Sequence, residues 1–154
     1  NKVYVSGTKV LYNKALNNFR AKNYEKSYLQ FNSLFLNNMQ DILINFYLGR
    51  SAYELSKYEF ALSAYDRILI AEPKNTRARL EMAQTYFKMK LYTQSLNEFN
   101  EVLKNKKIPI KVKKIVNAKV EYIKSIQKKS FLMQTVLLTI LKYARVTTIY
   151  LSTK

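Results

Sequence analysis

The sequence predicts an all-α solenoid of three antiparallel helix pairs followed by a seventh, capping helix. Three observations predict it. Residues 42–75 read as two amphipathic helices joined by a tight turn at Ser56-Lys57 and stopped at Pro73. That pattern recurs: a shift of 34 residues takes Gly49 to Ala83, Tyr58 to Tyr92, Ala61 to Ser95, Tyr65 to Phe99 and Ile68 to Val102. The opposite shift gives Ala15, Tyr24, Ser27, Phe31 and Leu34. Finally, two glycines and two prolines in 154 residues leave little room for sandwiches, barrels or Gly-rich nucleotide loops.

Within residues 42–75, Leu48, Gly49, Ala52, Tyr58, Ala61, Tyr65, Ile68 and Pro73 fall at offsets 7, 8, 11, 17, 20, 24, 27 and 32. This pattern resembles the tetratricopeptide repeat (TPR), which puts small residues where two helices touch and large ones around them. Asn45 and Ala52 depart from the Trp and Tyr of that repeat. The phase divides the chain into repeats 8–41, 42–75 and 76–109.

Each element has a local reason. Residues 1–7 read as a lead-in, with a helix entry at Gly7-Thr8. A first helix, about 9–21, turns Leu11 and Ala15 inward, while Lys14 and Asn18 hold phases that the repeat usually fills with apolar groups. A terminal repeat has one uncovered face, which accounts for them. Its partner helix, 24–36, buries Ser27, Phe31 and Leu34 and breaks at Asn37-Asn38. In the second repeat, Gly49 inside a helix costs about 1 kcal/mol against Ala, so a packing reason is expected. The third repeat opens after Pro73, with Asn75 or Thr76 as N-cap, and turns near Lys90.

Pro109 suits the first turn of the next helix, 110–127. Val112, Ile115, Val116, Val120, Ile123 and Ile126 make one apolar stripe on it, with lysines elsewhere. Such a stripe suits a cap on the last repeat better than a membrane-surface helix. The tail, 128–154, changes composition. Its apolar run 131–141 is too short to cross a bilayer, and Lys142 and Arg145 interrupt any extension. Its β-branched and aromatic content favours strand, although periodicity leaves helix open.

Composition argues against an enzyme. With neither Cys nor His, thiolate and imidazole ligands and a Ser-His-Asp arrangement are absent, and the ten carboxylates are scattered. No cofactor or metal is expected. The chain starts at Asn1, which suits a processed or trimmed protein. No apolar signal-peptide core precedes the repeats, and a cleaved one fits equally well. The net charge of +17 is uneven: residues 1–103 carry 14 basic and 9 acidic side chains, residues 104–154 carry 13 and one, Glu121. A basic surface suits nucleic acid, anionic lipid or an acidic protein, yet a chain rich in Lys, Asn, Ile and Tyr also follows from an AT-rich genome.

From TPR geometry, offsets 5, 9, 12 and 13 face a concave groove. Here these are Tyr12, Leu16, Phe19 and Arg20; Phe46, Arg50, Tyr53 and Glu54; and Leu80, Gln84, Phe87 and Lys88. One reading is a groove for a peptide client with aromatic anchors, Arg50 or Lys88 catching acceptors. The other is that these rings pack on neighbouring helices or are covered by the tail. Tyr12 and Leu16 stand where TPRs that clamp a chaperone's C-terminal carboxylate need Lys and Asn, so that subtype is rejected.

Residues 42–130, carried by Leu80, Ala83, Phe87, Tyr92, Phe99, Val102, Pro109 and Val112, look like the periplasmic N-terminal domain of the surface lipoprotein assembly modifier family. That family places an outer-membrane β-barrel after its repeats, where this chain has only the tail. The resemblance implies a polypeptide client and a periplasmic location, with cytoplasm as the alternative and membrane contact only through a downstream barrel. The competing partner is nucleic acid or another polyanion on the lysines between 106 and 129; no small-molecule substrate is expected.

Overall fold

The computed structural model describes the backbone of residues 2–152 and the side chains of residues 7–152. Seven helices follow one another: α1 Lys2–Arg20, α2 Tyr24–Asn37, α3 Ile42–Glu54, α4 Tyr58–Ala71, α5 Thr76–Lys88, α6 Tyr92–Lys104 and α7 Ile110–Ser152. They divide into two units, residues 1–108 and 109–154. In the first unit α1 pairs with α2, α3 with α4 and α5 with α6, and each pair stacks on the next through α2–α3 and α4–α5. This is a three-repeat TPR solenoid.

The 34-residue phase is visible atom by atom. Lys22, Ser56 and Lys90 all adopt the left-handed conformation, with φ of 62°, 59° and 61°. Each ends a first helix in the same pair of bonds: N–H of Asn23, Lys57 and Leu91 donates to C=O of Asn18, Ala52 and Tyr86 at 2.8, 2.9 and 2.9 Å. The left-handed residue itself donates three residues back, to Phe19, Tyr53 and Phe87. This is a Schellman stop, and it is made without glycine. The next first helices open on side-chain caps: Asp41 accepts from Ile44 N and Asn75 from Ala78 N, both at 2.9 Å.

The residues predicted to line the helix–helix contacts do so. Phe31, Tyr65 and Phe99 are fully buried, as are Ser27, Ala61 and Ser95, with Ala15, Gly49 and Ala83 facing them in phase. Burying a phenylalanine stabilises by roughly 2–3 kcal/mol. The polar members of this set are satisfied: Ser27 and Ser51 share a hydrogen bond of 2.9 Å between α2 and α3, and Ser95 donates to Ala83 O. Asn45, standing where the repeat has Trp, is buried as a bracket. Its amide donates to Met39 O and Asp41 O, both at 2.8 Å, and accepts from Arg67 Nε at 2.7 Å. The Arg67 guanidinium lies over the Phe35 ring, so this bracket ties repeats one and two.

Three expectations are corrected. The helix does not begin at Gly7-Thr8: α1 starts at Lys2 and carries Gly7 in its interior, where an added Cβ would touch nothing. The tail is not strand, since α7 runs unbroken to Ser152 and no strand occurs among the described residues. The helix therefore continues past residue 127, where a break was expected. The reason lies in the phase. Ile110 is 34 residues after Thr76, so α7 starts where the repeat phase starts a first helix, and it buries Val116, Val120 and Ile123. Where Ser27, Ala61 and Ser95 supply the small contact of a second helix, the chain has Lys129. With no second helix to fold back, α7 keeps going. Its β-branched threonines are accommodated by bonding to carbonyls one turn back, as Thr135 to Phe131 O and Thr139 to Thr135 O.

Candidate functional site

In the first unit the first helices are neighbours, α1 touching α3 and α3 touching α5. Their shared face is where the sequence places the candidate residues. Offset 12 supplies Phe19, Tyr53 and Phe87, all partly exposed. Each stands edge-to-face on a tyrosine of its own second helix: Phe19 on Tyr24 at 5.7 Å, Tyr53 on Tyr58 at 5.8 Å and Phe87 on Tyr92 at 5.8 Å. Such a pair adds about 0.5–1.5 kcal/mol beyond area burial, and it fixes the ring's direction. The three tyrosines that brace the row were read from the sequence as contact residues of the repeat, not as partners of the groove.

Offsets 5 and 9 divide. Tyr12 is partly exposed and meets Phe31 edge-on at 5.7 Å, burial holding its phenol above the usual range. Leu16, Leu80 and Gln84 are also partly exposed, and Lys88 is exposed. Phe46 is not on the surface at all. It is 4% exposed, belongs to the core with Ala52, Tyr65 and Met82, and lies under the Arg77 guanidinium at 3.9 Å. As an anchor it is corrected to a core residue. Its neighbour Tyr47, which periodicity did not single out, joins repeats one and two, stacking on Phe31 at 5.4 Å and meeting Phe19 and Phe46 edge-on.

Arg50 is also corrected. Its Nη1 donates to Glu81 Oε1 at 2.8 Å, with Glu54 at 3.8 Å and the Phe19 ring centroid 5.8 Å away. A guanidinium committed to two carboxylates is not an open trap for a client's carbonyl or carboxylate. Burial raises the Glu81 carboxyl, against the pull of Arg50. Beneath the pair, Arg50 Nε and Tyr65 Oη are buried with no hydrogen-bond partner among the described residues. Burial also pushes the Tyr65 phenol far up. The ion pair joins α3 to α5 at the middle of the face. At the first-repeat end the face opens into a cleft of about 440 Å³ between α1, the end of α2 and the start of α3, with Tyr12, Leu34 and Ile44 among its apolar walls and Lys9, Asn37 and Asp41 among its polar ones.

The surface is therefore a row of three braced rings flanked by Tyr12, Leu16 and Leu80, with one internal ion pair at its centre. Its exposed part is made mainly of aromatic and aliphatic side chains. No family model and no curated protein matches the chain. Solved structures do. The chain is similar to the Yersinia enterocolitica type III secretion chaperone SycD in complex with a peptide of the translocator YopD, with a TM-score of 0.74 and 18% identity over 82% of this chain and 99% of that one. It is similar to PcrH in complex with the chaperone-binding region of PopD, with a TM-score of 0.71 and 16% identity over 79% and 94% of the two chains; a further PcrH structure, from Pseudomonas aeruginosa, is also similar. It is also similar to the first TPR of Spaghetti (RPAP3) bound to the HSP90 peptide SRMEEVD, with a TM-score of 0.69 and 12% identity over 79% and 93%. At these identities the likeness is one of fold, and the fold they share with this chain is the TPR solenoid.

Proposed function

We propose that this chain is a non-catalytic module that holds a segment of a client polypeptide along the face of α1, α3 and α5. One observation carries the reading: Phe19, Tyr53 and Phe87 recur at one phase, partly exposed and each held by a tyrosine behind it. Rigid aromatic anchors lose little freedom on binding, which is what a peptide-recognition surface needs. The same fold in SycD, PcrH and RPAP3 carries a peptide or a partner's binding region, which supports the reading. With Arg50 tied to Glu81, the client's apolar side chains rather than a terminal carboxylate supply the affinity.

The setting belongs to the same proposal. The resemblance of residues 42–130 to the surface lipoprotein assembly modifier repeats supports a client on its way out through the periplasm, and fractionation of cells expressing the native gene decides between that and the cytoplasm. A second reading rests on the exposed lysines 106, 107, 111, 113, 114, 128 and 129, which make no salt bridge among the described residues. They suit a polyanion.

Selection of random peptides on the immobilised chain, followed by fluorescence anisotropy, tests both. Peptides rich in apolar residues are expected, with binding weakened ~10-fold or more by Tyr53→Ala with Phe87→Ala. Affinity should change little between 50 and 200 mM salt, whereas phosphate binding would fall ~1,000-fold or more for six or more contacts. Binding indifferent to both substitutions sinks the groove reading.

A further inference from the structure

The second half of α7 is exposed along its length. Every residue from 127 to 152 is exposed, including Met133 at 73%, Leu137 at 56%, Ile140 at 58% and Leu151 at 72%. A helix this apolar is normally covered. Among the described residues, no helix is long and apolar enough to cross a membrane. Exposed apolar residues lie all round it, Leu138, Tyr143 and Val146 among them, and one row has a regular spacing. Met133, Leu137, Ile140, Ala144, Thr147 and Leu151 follow one another at alternating steps of four and three, the spacing of a coiled-coil seam. The two charges between residues 130 and 152, Lys142 and Arg145, stand off that seam.

We propose that this seam binds a second copy of the chain, antiparallel, with the two-fold axis near residue 142. Three features of the seam favour that occupant. In this register Ile140 meets the partner copy's small Ala144 and Leu137 meets its Thr147, large against small near the axis, while Met133 meets its Leu151 at the two ends. A parallel pair in register would put Ala144 on Ala144, leaving a gap there, and crowd Ile140 against Ile140. Charge points the same way. Seven lysines and one glutamate lie between residues 111 and 129. A parallel pair sets those stretches side by side, whereas the antiparallel pair carries them to opposite ends, several Debye lengths apart at about 8 Å each. The area suffices as well. The helix from 130 to 152 is about 35 Å long. Two such helices laid along one another cover roughly 800 Å² on each chain, the size of a standard stable interface.

Sedimentation equilibrium of the full chain tests this. The expected mass is twice the 18.2 kDa of one chain, at concentrations of about 10 μM and above. Leu137→Glu with Ile140→Glu should weaken association ~100-fold or more and leave the circular dichroism spectrum of the fold intact. Thr135→Glu with Thr139→Glu adds the same charge on the opposite side of the helix and should remain dimeric. The chain has no cysteine, so orientation can be read directly. Leu137→Cys with Thr147→Cys should cross-link between chains on mild oxidation, and Leu137→Cys alone should not. A wild-type chain that stays monomeric overturns the proposal. So does a seam variant that still dimerises, or one that loses its helical signal, which would show the seam packed within its own chain. Association with anionic vesicles in place of self-association assigns the face to lipid and equally overturns it. Cross-linking by the single cysteine refutes the antiparallel arrangement.

Discussion

Gly49→Ala sets two effects of known size against each other. Replacing a glycine inside a helix by alanine gains about 1 kcal/mol of helix propensity. Against this, a Cβ at Gly49 would stand 2.5 Å from Cε1 and 2.9 Å from Cζ of Tyr65, where carbon atoms normally rest at about 3.5–4.0 Å. The ring is fully buried and must move by about 1 Å into a filled core, an overpacking that costs about 1–3 kcal/mol. The net expectation is a loss of about 1 kcal/mol, seen as a lower urea midpoint at constant m-value by circular dichroism. The other two repeats sharpen it. Ala15 and Ala83 occupy the same phase as Gly49, and the rings in phase with Tyr65 there are Phe31 and Phe99. Where the ring has no hydroxyl, alanine is accepted. The Tyr65 ring carries a hydroxyl that is buried without a hydrogen-bond partner among the described residues, extra bulk that limits where the ring can move. Tyr65→Phe should therefore free the ring, and Gly49→Ala in that background should cost about nothing or stabilise, a coupling of roughly 1 kcal/mol or more in the double-mutant cycle. A Gly49→Ala protein as stable as wild type, or two additive substitutions, refutes the account.

Other outcomes follow from the same packing. Ser56→Gly should stabilise by up to about 1 kcal/mol, because a side chain in the left-handed region is strained, while Lys57→Gly beside it should not; thermal melting of the pair checks this. Asn45→Ala strips partners from Arg67 Nε and from two carbonyls and should cost about 2–3 kcal/mol by urea unfolding. Burial raises Glu81 in the folded state above its ordinary value of 4.5, so the protonated form is the one the fold prefers. Its stabilising share is complete below about 4.5 and is lost as pH rises through the folded value. The stability of wild type relative to Glu81→Gln should thus fall as pH goes from about 4 to about 7, and a flat difference would rule out burial as the dominant cause.

Periodicity carried the fold because TPR contacts are local and repeated: the small residues at Ala15, Gly49 and Ala83 and the rings at Phe31, Tyr65 and Phe99 mark the helix–helix contacts directly. It carried less of the candidate site. Phase assigns a residue to a side of a helix, but Phe46 and Tyr53 share a side and differ in burial, Phe46 lying in the core under the Arg77 guanidinium and Tyr53 partly exposed. The partner of Arg50 is Glu81, 31 residues away on another repeat, with no local signal in the sequence. Gly7 and the β-branched tail misled for a related reason. Both are weak local preferences: Gly7 is carried inside a helix that needs no side chain there, and the tail extends a helix whose start is fixed by the repeat phase.

The edge-to-face pairs also make the protein its own spectroscope. The sequence has 13 tyrosines and no tryptophan, so tyrosine emission is not drained by transfer to an indole. Each repeat places one phenol, Tyr24, Tyr58 or Tyr92, in a fixed, asymmetric contact with a ring on the candidate face, which gives it a near-ultraviolet dichroic signal of its own. An occupant that leans on Phe19, Tyr53 or Phe87 must disturb the phenol behind it. A single Tyr→Phe change at 24, 58 or 92 silences one repeat's contribution at a time, so the spectral change that remains locates the occupant along the face without any label being attached.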